Sequence, residues 1–148
     1  MVLIVPDLVT ERIESVKAGM FGAGTFATVE LIVNTLKNSV SDLFPGLTLT
    51  LMISAQMWLM PLTIGAVTGF LFGVTYRYVI RDDRNSHLND GAVLAFGLVR
   101  GLALIEQNLA LSGLLSLSTL VIQSIICFAV VRFILDLAIA RKLIKPFP

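Results

Sequence analysis

Residues 47–80 read LTLTLMISAQMWLMPLTIGAVTGFLFGVTYRYVI, and the fold turns on how this stretch is cut. As straight helix it would be about 51 Å long, whereas a hydrocarbon core of about 30 Å asks for only about 20 residues. One upright crossing cannot hold it. Pro61 is the natural break, because proline suits the first turn of a helix and turns the residue before it away from helical geometry. Residues 61–80 are therefore read as a span. Residues 47–59 are read as a short interfacial or re-entrant helix, with Trp58 suited to the membrane surface. The competing reading is one kinked, strongly tilted span.

Working outward, RDDRNSHLN at 81–89 is a polar turn in which Asn89 or Asp90 can cap the next helix. A span over about 91–110 follows and carries Arg100 and Glu106. A short link at Ser112-Gly113 leads to a span over about 114–137, with Arg132 and Asp136 towards its exit. Upstream, a span over about 18–36 contains Glu30 and is closed by Lys37 and a turn-forming stretch, 38–46, that holds Pro45-Gly46. Before it, after Pro6 and Asp7, Val9, Ile13, Val16 and Met20 recur at helical spacing while Glu11, Glu14 and Lys17 take another face. This reads as an interfacial helix over 6–17 running into the first span. The first residues lack the basic region and small-residue cleavage site of a signal peptide, so they are expected to be retained.

Composition agrees with a bilayer as the solvent. Of 148 residues, 56% are hydrophobic and 14% charged, where soluble chains carry about a quarter charged residues, and the mean hydropathy is +0.89. A net charge of +1 gives no clustered basic face for nucleic acid. The single cysteine, Cys127, lies in an apolar run, where it can form no intrachain disulfide and reads as a small buried hydrophobe. The expected fold is all-α: one integral membrane domain built as a four-helix bundle. Arg12, Lys17, Arg77, Arg81, Arg84, Arg141, Lys142 and Lys145 fall on one side of it against Lys37 on the other, which predicts both termini on the cytoplasmic side.

In lipid, helices associate through close approach at small residues. Gly19, Ala23 and Ala27 in span one, Gly65, Gly69 and Gly73 in span two, and Gly97 and Gly101 in span three each recur every four residues, which lines up one helix face. These stripes predict a core of spans one to three, with the Leu- and Ile-rich span four outside it. A charge within the membrane costs a few kcal/mol or more and so calls for a partner. Glu30 and Arg100 each follow a small residue of their stripe by three positions, at depths of about 18 and 15 Å by helical rise. They are predicted to form an ion pair between spans one and three. Glu106 and Lys37 form a weaker candidate pair near the opposite surface. Arg77 and Arg132 are expected to act as boundary anchors, snorkelling to headgroups.

Catalytic motifs are sparse. There is no HExxH, P-loop, nucleophile elbow or Cys-His cluster, and His87 among Asp82, Asp83, Asn85 and Asp90 reads as part of a solvated turn rather than a metal site. Glu106, Gln107 and Asn108 could in principle offer oxygen ligands for a chlorophyll magnesium, but they read first as a solvated surface; lipid is the other conceivable bound group. Ser116, Ser118, Thr119, Gln123 and Ser124 in span four can line a narrow path or hydrogen-bond between helices. GTFATVELIVNTL from Gly24 resembles GLVRGLALIEQNL from Gly97, and TYRYVI resembles VVRFIL around Arg77 and Arg132. This is a faint internal repeat of two spans per unit.

The stretch TYRYVIRDDRNSHLNDGAVLAFGLVRGLA, residues 75–103, resembles a group of uncharacterised integral membrane proteins of cyanobacteria and chloroplasts, through Arg77, Arg81, Asp82, Gly91, Phe96, Gly97, Arg100 and Gly101. The resemblance covers about a fifth of the chain and implies a thylakoid or cyanobacterial plasma-membrane location, with a link to photosynthetic complexes. It carries no site residues. The function expected is that of a non-enzymatic accessory, assembly or stabilising subunit of a larger membrane complex, whose partners are the lipid bilayer and other membrane subunits or a second copy. The alternative is a small oligomeric transporter or channel that uses Glu30 and Arg100.

Overall fold

A computed structural model describes residues 8–43, 59–80, 86–107 and 114–146. They form four helices and no strand: α1 (Leu8–Leu43), α2 (Leu59–Val79), α3 (Ser86–Gln107) and α4 (Leu114–Ala140). Each is long and apolar enough to cross a membrane, over Leu8–Leu36, Met60–Val79, His87–Glu106 and Ser118–Ala140. The end that holds the start of α1 and the end of α4 is called the base, and the end at Pro61 the apex.

Pro61 is the third described residue of α2; in a first turn proline's missing N–H is no loss. The helix expected over 47–59 lies outside the described residues, except that Leu59 already belongs to α2. Span one runs on beyond the expected turn at Asn38 to Leu43. The asparagine and serines there bend nothing by themselves: Ser39 Oγ turns back to the Thr35 carbonyl at 3.1 Å, and the first residue that bars a helix is Pro45. From Leu8 on, the segment expected to run into span one is continuous with it as α1. Asn89 and Asp90 are not caps; α3 begins at Ser86, and both residues lie inside it.

The first turns of α1 turn an acidic and small-residue face inward. Val9, Ile13, Val16 and Met20 are exposed, whereas Glu14, Ser15 and Ala18 are buried. The apolar face of these turns looks out to where lipid would lie, and the polar face packs into the bundle.

α1 packs against α2, α3 against α4, and α4 against α1, with thin seams from α2 to both α3 and α4; α1 and α3 do not touch along their backbones. Each helix sends one phenylalanine to the centre. Phe128 of α4 lies 4.9 Å from Phe26 of α1, 5.1 Å from Phe72 of α2 and 5.8 Å from Phe96 of α3, measured between ring centroids.

Span four is thus not peripheral: Cys127, Phe128, Val131, Leu135 and Ala138 are buried. The reason lies in the glycines of α3. A Cβ built at Gly97 or Gly101 would stand 2.8 or 2.7 Å from the backbone of Ile125 or Val121 in α4. The pair lets α3 close on α4 rather than on α1 and α2. Between α1 and α2 the closest approach is made by Gly22 with Gly69 and by Ala18 with Gly73. Gly19 packs against the Phe70 ring, while Ala23 and Ala27 are only half-buried. The working stripe of α1 is shifted from the one expected, because Ala18 and Gly22 continue the line of Ser15 and Phe26.

Candidate functional site

Among the described residues, three arginines are each bonded to a carboxylate on another helix. The deepest pair joins the two helices whose backbones do not touch. Arg100 Nη2 donates to both carboxylate oxygens of Glu30 at 2.8 Å, and both side chains are more than nine-tenths buried. Two features of the neighbouring helices make room for this diagonal bridge. Gly65 of α2 leaves the space in which the Glu30 carboxylate lies. The Phe26 ring lies under the guanidinium, with its centroid 4.7 Å from Cζ, where the negative face of the ring favours the cation.

At the base, Arg77 is 1% exposed. It is not the snorkelling anchor that its place near a helix end suggests. Its Nη1 donates to Ser15 Oγ at 2.7 Å and to the Glu11 carbonyl at 3.0 Å, its Nη2 pairs with the Glu11 carboxylate, and its Nε donates to the Lys145 carbonyl at 2.8 Å. The C-terminal segment reaches it by a sharp turn. Lys142 takes a left-handed φ of 59°, Lys142 N–H bonds to Ile139 O, and Leu143 N–H bonds to Ala138 O, the Schellman pattern with lysine in the usual glycine place. Ile144 is then buried at 1%, and Lys145 N–H donates to Glu14 Oε2 at 3.1 Å. Glu14 also accepts from Lys17 at 2.7 Å.

Arg132 makes the third cluster. It pairs with Asp90 of α3 and donates from Nε to Tyr76 Oη at 3.2 Å; that hydroxyl in turn donates to Asp136 Oδ1 at 2.8 Å. With its side chain 23% exposed, Arg132 retains some of the boundary character expected of it, yet its bond to Asp90 ties α4 to α3. Glu106 is exposed in the last turn of α3. The side chains of Lys37 and Gln107, the residue Asn108 and most of the His87 turn lie outside the described set. Among the described residues, no three of His, Cys, Asp and Glu come together to hold a metal ion.

Arg100 also forms part of the wall of a cavity of about 290 Å³ between α2 and α3, in contact with Phe128 of α4. Sequence reasoning did not find this cavity, nor the burial of Arg77. A signal for the second was present: Arg77 continues the four-residue spacing of Gly65, Gly69 and Gly73, and so shares their inward face. Comparison with protein-family models, with curated proteins and with solved structures yields no match.

Proposed function

We propose that this chain is a non-enzymatic accessory, assembly or stabilising subunit of a larger membrane complex. The observation that carries the reading is how its charges are used. Glu30–Arg100, Glu11–Arg77 and Asp90–Arg132 each tie one helix to another, which is a framework's use of intramembrane charge. The outer faces, with Leu31, Ile32 and Leu36 on α1 and Leu94, Val99 and Leu102 on α3, are exposed and apolar, and suit either lipid or the helices of another subunit. On the resemblance of residues 75–103, the membrane is a thylakoid or cyanobacterial plasma membrane and the complex photosynthetic. On the distribution of Lys and Arg, the base faces the cytoplasm.

The test is purification in mild detergent from the native membrane. Co-migration with different membrane subunits on a native gel supports the reading, and a homo-oligomer alone overturns it. A second reading, a small oligomeric transporter, is favoured by one feature: Arg100 borders a cavity as well as pairing with Glu30. Solute flux in liposomes that is abolished by exchanging both Glu30 and Arg100 for glutamine supports it.

A further inference from the structure

The cavity between α2 and α3 spans the apical half of the bundle. On α2 it runs from Pro61 to Leu71, about 15 Å along the helix, the depth of one leaflet's hydrocarbon. Ile64, Leu71 and Val99 on its wall are exposed, so it opens sideways, towards where lipid would lie, rather than along the bundle axis. Its walls are almost wholly apolar, with the aromatic rings of Phe96 and Phe128 at the back. Arg100 and Thr68 are the polar side chains that reach it.

Arg100 selects the occupant. Both of its hydrogen bonds leave from Nη2, and a guanidinium carries five N–H donors, so Nε and Nη1 keep donors for an acceptor. Glu30 already balances the charge. A second anion would leave a net charge in low dielectric, whereas a neutral carbonyl oxygen would not. Depth narrows the choice further. Arg100 stands seven residues before the end of α3 at Gln107, about 10 Å below it. The ester carbonyls of a glycerolipid belong at the edge of the hydrocarbon and would have to sink to reach it, while a carbonyl on a molecule dissolved in the hydrocarbon is already at that depth.

We propose that this cavity binds one neutral, membrane-dissolved quinone, with its ring against Phe96 and Phe128 and a carbonyl oxygen accepting from Arg100. The inference goes beyond the subunit reading and does not depend on it. The test uses the full chain in quinone-free phosphatidylcholine nanodiscs with an azido-benzoquinone bearing a decyl chain as photolabel. Label should concentrate in residues 61–71 and 96–104 and be displaced by excess decyl-benzoquinone. Ala103 is an exposed residue on the cavity wall, so Ala103→Trp fills the cavity without entering the core. It should cut labelling about tenfold, a loss of the order produced by one well-placed side chain, while helicity and elution volume stay unchanged. Val99→Trp, at a second exposed position on the wall, should do the same. Three results would overturn the proposal: label spread over lipid-facing peptides of all four helices, label that both variants retain, or a stoichiometric phospholipid in native mass spectra that the quinone does not displace.

Discussion

Glu30 and Arg100 are ionic partners across a bundle diagonal, with the Phe26 ring under the guanidinium. Taking one away leaves an uncompensated charge more than nine-tenths buried, a loss of about 3–5 kcal/mol for such pairs. Arg100→Gln should therefore strongly lower the yield of folded protein and its melting temperature in detergent, and adding Glu30→Gln should restore much of both. If the two effects simply add, the pair has no coupling. Arg77 makes a sharper contrast with expectation, since a true boundary anchor would tolerate replacement. Arg77→Gln should instead destabilise by about 3 kcal/mol, the lower end for a broken buried pair, because Glu11 keeps some access to water. Lys17→Gln, which removes a half-exposed partner of Glu14, should change stability by less than about 1 kcal/mol. Chemical denaturation followed by circular dichroism separates the three.

At the scale of the element, α1 and α2 form a zipper of matched stripes running in opposite directions. Glu11, Ser15, Ala18, Gly22, Phe26 and Glu30 descend α1, and Arg77, Gly73, Gly69 and Gly65 meet them along α2. Polar contacts close the Arg77 end, the Glu30 carboxylate fills the space over Gly65 at the other, and backbone contact fills the middle. Gly22→Leu should force the helices apart at the Gly69 carbonyl, with a loss of about 1–3 kcal/mol or more as in overpacked cores. Ala23→Leu, one residue on and half-buried, should be nearly silent. Glycophorin-type association assays are not suited to this intrachain contact; thermal melts of the two variants are. The glycine spacing was legible in the chain, but its partner was not. Every-fourth spacing names a face and says nothing about which helix approaches it, which is why Gly97 and Gly101 pointed to a core of spans one to three and in fact receive α4.

For the whole molecule, the base is where distant parts of the chain converge. The segment after α4 turns at Lys142, buries Ile144 and bonds to both Glu14 and Arg77. Deleting residues 141–148 should lower the melting temperature about as much as Arg77→Gln does, and the two together should lower it by less than their sum, because each removes the other's contacts. Cys127, the single cysteine and 2% exposed, supplies a direct readout. Its thiol should resist maleimide in the folded protein and react on unfolding, earlier for every destabilised variant above. A parallel between the halves also emerges at this scale. In each hairpin a carboxylate near the start of the first helix, Glu11 or Asp90, meets an arginine near the end of the second, Arg77 or Arg132. The internal similarity of the chain matches the two arginines, yet it sets Gly24 against Gly97 rather than Glu11 against Asp90.

By itself the chain indicated the four apolar helices found among the described residues, and that Glu30 and Arg100 could lie at one depth. Those properties follow from hydrophobic length and helical rise, both of them local. Only the tertiary structure decided that α4 belongs to the core, that Arg77 turns inward, that the polar face of the first turns of α1 is buried, and that a cavity opens beside Arg100. Each of these depends on which faces meet across the bundle. In a membrane that choice is made by close backbone packing and by the satisfaction of buried charge, neither of which leaves a periodic mark of its own in the sequence.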